Sequence, residues 1–98
     1  MNITIPTYDE MLRRLESVDS EPYLRPWREQ FARTLAEQTT DSFGVVEAFA
    51  MSMNSANLPP LTQLILKANC KKYFEAFVDT ASMPDVIQIC NARFGISL

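Results

Sequence analysis

Only two glycines, Gly44 and Gly95, occur in this chain of 98 residues. Glycine is the usual residue where a backbone must turn left-handed or approach a ligand closely. A chain this poor in it favours rigid, self-contained elements, and the spacing of its apolar residues says which kind. Apart from the three residues Ile3-Thr4-Ile5, no segment alternates apolar and polar side chains as a half-buried strand does. Apolar residues recur instead at intervals of three and four, which is one face of a helix.

The first helix begins at a capping box, Thr7-Tyr8-Asp9-Glu10. The Thr7 hydroxyl can accept from the Glu10 amide while the Glu10 carboxylate reaches back to the amide of Thr7. Tyr8, Met11, Leu12, Leu15 and Val18 then form a stripe, so a helix is expected over about 8–18. Asp19-Ser20-Glu21-Pro22 ends it. Pro26 has no amide to donate in a helix interior, so the second main helix is expected over 26–37, with a turn or short helix before it. Trp27, Phe31 and Leu35 form its apolar stripe.

Thr40 or Asp41 offers the next cap. From Phe43 to Met53 the chain is apolar on nearly every side, which marks a central helix over 41–54. The alternative is a helix that packs its own chain on one face and a partner on the other. Leu58-Pro59-Pro60 restarts the chain, since proline suits a first helical turn. The longest helix is expected over 60–79. One of its stripes is Leu61, Leu64, Ile65 and Ala68, and the adjacent one is Leu66, Cys70, Tyr73, Phe74 and Phe77, with the lysines toward solvent. A last helix is expected over 84–94, closed by Gly95 in the left-handed conformation with Ile96 folding back. The expected fold is all-α, a single compact bundle of four to five helices, with residues 1–98 as one helical domain.

The sequence contains no histidine. It therefore lacks the commonest general base and the commonest metal ligand. Cys70 and Cys90 are its only cysteines, without CxxC spacing, and Cys70 shares its stripe with aromatic residues. Both read as core thiols, and a zinc site is not expected. Asp9 with Glu10 and Glu16 with Asp19 are pairs at helix ends, not carboxylates facing across a cleft. No Gly-x-Ser-x-Gly turn is present. The expectation is a chain that is not an enzyme and has no metal and no cofactor.

Charge is mild and uneven. Residues 1–57 carry nine acids and five bases, and residues 58–98 carry three acids and four bases. A DNA-binding regulator would use Lys67, Lys71 and Lys72, or Arg13, Arg14, Arg25 and Arg28. Both clusters are short and diluted by acids, so nucleic acid is not the expected partner. Contact with another protein fits better. Tyr23, Arg25, Trp27 and Arg28 bring the three residue types enriched at interface hot spots into one proline-stiffened connector. The competing reading makes Trp27 the anchor of a small core. The expected function is non-enzymatic protein binding, as in a small inhibitor, adaptor or immunity-type regulator. The remaining alternative is a structural homo-oligomer or assembly subunit, because dimerisation would bury more of a small chain. No apolar stretch approaches the roughly 20 residues that span a bilayer. No basic segment followed by an apolar run opens the chain, so the expected location is cytoplasmic.

Overall fold

The computed structural model describes residues 7–37 and 41–98. The Ile3-Thr4-Ile5 pattern and the candidate cap Thr40 lie outside the described residues. The described residues form six α-helices and one 3-10 turn. They are α1 (Tyr8–Val18), the 3-10 turn (Pro22–Leu24), α2 (Arg25–Glu37), α3 (Ser42–Ser55), α4 (Pro60–Ala68), α5 (Cys70–Glu75) and α6 (Met83–Phe94). The all-α expectation holds.

Local chemistry sets most of the boundaries. The Thr7 hydroxyl accepts from the Glu10 amide at 3.4 Å. The same hydroxyl donates to the Glu10 carboxylate at 3.3 Å, so Glu10 reaches the Thr7 side chain. Asp41 caps α3 by accepting from the Gly44 amide at 2.8 Å. Asp79 accepts from the Ser82 amide at 2.7 Å and shapes the turn into α6. Gly95 closes α6 with φ +64°, and the Ile96 amide returns to the Asn91 carbonyl at 3.2 Å. That pairing satisfies a carbonyl that the helix end would otherwise orphan.

Several expected boundaries change, with α3 over Ser42–Ser55 in place of 41–54 and α6 starting at Met83 in place of 84. Helix α2 starts at Arg25, one residue early, because the 3-10 turn runs straight into it. Pro26 then falls in the first helical turn, where its missing amide costs nothing. The single helix expected over 60–79 is two helices, broken at Asn69 and ended at Glu75. Asn69 has φ −112° and ψ 14°, outside helical geometry. Its side-chain amide donates to the Ile65 carbonyl at 2.8 Å, offering that carbonyl a partner outside the helical ladder.

Helix α2 packs on α1 and α3, α3 packs on α6, and α5 joins α6 and α1. The molecule extends 33 × 30 × 20 Å along its principal axes, and the helices pack around a shared core. Aromatic rings fill the space between them. Trp27 meets Tyr73 edge-on at 5.0 Å between centroids and stacks on Phe31 at 5.7 Å. Phe49 lies 5.3 Å from Phe74. Helix α3 is central, as its composition implies. Val45, Val46, Ala48, Phe49, Ala50 and Met53 are buried, and Phe43 and Met51 form a narrow exposed strip.

Helix α4 is the outlier. It packs chiefly on its neighbour α5, and Leu66 is its one fully buried residue. Of the two apolar stripes on 60–79, Leu66, Cys70, Tyr73, Phe74 and Phe77 enter the core. The stripe of Leu61, Leu64, Ile65 and Ala68 faces solvent.

Candidate interaction surface

The connector Tyr23-Leu24-Arg25-Pro26-Trp27-Arg28 divides in two. Leu24, Trp27, Arg28 and Phe31 recur at helical spacing and all point inward. Trp27 is fully buried and anchors the aromatic core. Arg28 is buried beside it, with Nη1 donating to the Glu21 carbonyl at 3.0 Å. The Nε1 of Trp27 and the Nε of Arg28 are buried without a hydrogen-bond partner. Neither residue offers surface to a second molecule. Tyr23 and Arg25 point outward, and Arg25 pairs with Glu29 at 3.3 Å. The four residues singled out by the sequence thus do not form one exposed cluster. The 3-10 turn sets the helical phase of α2, and that phase turns Trp27 and Arg28 inward.

Among the described residues, the largest apolar exposure lies on α4. Leu61, Leu64 and Ile65 are 68%, 62% and 53% exposed. At about 100° per residue, these three and Ala68 share one face. The start of α4 explains their outward direction. Pro59 and Pro60 fix its first turn, and the Gln63 side chain ties back to the Leu58 carbonyl at 2.9 Å. Leu58 itself is packed into the core. With the helix held at that end and Leu66 inserted below, no element among the described residues lies above the opposite face.

Exposed Tyr23 extends this face. A cleft of about 60 Å³ lies between the 3-10 turn and the α4–α5 junction, lined by Tyr23, Thr62, Ile65, Asn69 and Lys72 among others. Thr62 and Lys67 lie on opposite flanks of the stripe. On the first flank, Lys72 sits 5.3 Å from the Tyr73 ring centre. On the second, Lys67 sits 5.6 Å from the Phe94 ring centre. Lys71 pairs with Glu75 at 3.8 Å.

The arginine cluster considered for DNA is dispersed. Arg28 is buried, Arg25 pairs with Glu29, and Arg14 shares a hollow with Glu75 and Asp79. On α3, exposed Phe43 and Met51 are separated by Glu47, which accepts from Arg93 at 2.8 Å. Among the described residues, no three His, Cys, Asp or Glu side chains gather as metal ligands would. No helix among them is long and apolar enough to cross a membrane.

The charge-poor stretch 38–66, which includes Leu61, Leu64 and Ile65, is a second candidate interface in the sequence, but periodicity does not say which of two adjacent apolar stripes is covered. One signal was available. The segment from Leu58 to Leu66 is uncharged and carries more large apolar residues than one buried stripe needs. The fold and this surface define a small all-α domain with an uncovered helix face. Comparison with family models, with curated proteins and with solved structures finds no match to this chain.

Proposed function

We propose that this chain is a non-enzymatic protein-binding domain, in the manner of a small inhibitor, adaptor or immunity-type regulator, and that it docks through α4. One observation carries this proposal. Three large aliphatic side chains and Ala68 stand together on the solvent face of a helix that buries only Leu66 in its own core. A contiguous apolar patch on a small chain marks an interaction site far more often than isolated apolar exposure does. Tyr23 at its edge adds an amphipathic ring of the kind enriched at interfaces. The free thiols of Cys70 and Cys90 suit a reducing compartment, and the proposed location is cytoplasmic.

Crosslinking tests the proposal. A photoreactive phenylalanine analogue is placed at position 64 in one preparation and at position 10, on α1, in another. Both are irradiated in the cells that produce the protein. A protein adduct of defined mass should form at position 64 only, and Leu64→Glu should abolish co-purification of the same protein. The outcome that removes the proposal is a partner retained at full strength by Leu64→Glu.

A further inference from the structure

The α4 face carries a charge pattern that restricts what can cover it. No carboxylate occurs between Glu47 and Glu75, a stretch that includes all of α4 and the first half of α5. The charged residues in that stretch are Lys67, Lys71 and Lys72. Lys67 stands on one flank of the apolar stripe and Lys72 on the other, beside the Tyr23 cleft. The N-terminus of α4 follows Pro59 and has no side-chain cap, so its partial positive charge adds to that of the lysines. Asp19 lines the same cleft and interacts with Lys72, but its two oxygens are taken by the Tyr73 hydroxyl and the Glu21 amide.

We infer that the partner presents an amphipathic helix whose apolar ridge lies along Leu61, Leu64 and Ile65 and whose flanks carry carboxylates facing Lys67 and Lys72. This partner class presupposes the α4 docking face proposed above. Helix-in-groove recognition uses apolar anchors at i, i+3, i+4 and i+7, and complementary charges at the rim set register and encounter rate. A second copy of this chain is the poorer occupant. Two-fold pairing of the face offers those lysines no carboxylate, because α4 carries none.

The test uses the folded full-length chain as bait for a random peptide library displayed on phage. Enriched peptides are synthesised with a fluorescent label and their affinities measured by anisotropy. The expected peptides are acidic, with apolar residues at helical spacing. Leu64→Glu should abolish their binding. The triple variant Lys67→Gln, Lys71→Gln, Lys72→Gln should weaken it about tenfold, and raising the salt should weaken it in wild type but not in the triple variant. Thermal melts of both variants confirm that they fold. If neutral or basic peptides are enriched and respond to Leu64→Glu alone, the docking face stands and the acidic partner is overturned. A dimer in sedimentation equilibrium that Leu64→Glu dissociates also overturns it, in favour of a second copy. If no enriched peptide responds to Leu64→Glu, the docking face itself falls.

Discussion

The Tyr73 hydroxyl donates to the Asp19 carboxylate at 2.8 Å, joining residues 54 apart in the chain. Asp19 follows the last turn of α1 and also accepts from the Glu21 amide at 2.9 Å. One carboxylate therefore ties the end of α1, the approach to the 3-10 turn and α5 together. It also fixes the floor of the cleft beside Tyr23.

This bond predicts a pH dependence with two limbs. Burial by itself raises the Asp19 carboxyl, but the Glu21 amide, the Tyr73 hydroxyl, Lys72 and Arg28 outweigh it and hold the group below its usual value. Its contribution to stability is then complete above the unfolded value of about 4 and is lost as pH falls through the lower folded value. Burial, and then the Asp19 hydrogen bond and charge, push the Tyr73 hydroxyl well above its usual range. That contribution is complete below about pH 10 and is lost as pH rises toward the higher folded value. Tyr73→Phe should cost about 1–2 kcal/mol at pH 7, remove the alkaline limb and shrink the acid limb, which the Glu21 amide, Lys72 and Arg28 still support. Urea unfolding from pH 3 to pH 11 checks it, and limbs unchanged in the variant would refute the linkage.

Trp27 is the chain's single tryptophan and sits among the rings of Phe31, Phe49 and Tyr73. Its emission should be blue-shifted and poorly quenched by acrylamide until the protein unfolds. Trp27→Ala should cost about 3–5 kcal/mol through the cavity it leaves, which is a large fraction of the stability of a domain this size. Denaturant unfolding followed by circular dichroism measures the loss.

Gly95 has φ +64°, and an added Cβ would meet nothing within 4 Å. The cost of Gly95→Ala is therefore backbone strain alone, about 1 kcal/mol. Asn57, at φ 54°, already holds a left-handed position without glycine, so Asn57→Gly should be neutral or slightly stabilising. Paired thermal melts test the opposite signs.

Cys70 and Cys90 are buried free thiols on α5 and α6 that interact with each other. The interaction with Cys70, reinforced by burial, pushes the Cys90 thiol up and keeps it protonated. Neither thiol should react with Ellman's reagent in the native protein at pH 8, and both should react in urea. Rapid native modification of either one would show that α6 opens from the core.

Where structure depends on neighbours in sequence, the residues alone sufficed. The caps at Thr7, Asp41 and Gly95 use groups within a few positions, so their chemistry is legible without a fold. The break at Asn69 was not, because a lone asparagine in a helical pattern costs a fraction of a kcal/mol, and its turn toward the Ile65 carbonyl depends on where α5 must go. Trp27 and Arg28 were legible as exceptional residues but not as buried ones. Their direction follows from the phase that the 3-10 turn imposes on α2.

Helical class, helix number to within one break, and the lack of histidine chemistry all follow from residue types and short-range spacing. The covering of each apolar stripe does not. Leu61, Leu64 and Ile65 have the same pattern as a buried face, and hydrophobicity is non-directional, so nothing local separates them from Leu66, Tyr73 and Phe74. The packing of α5 against α1 and α6 takes up the second stripe and leaves α4 at the edge. That long-range choice converts an ordinary apolar helix into the surface through which this protein is proposed to meet its partner.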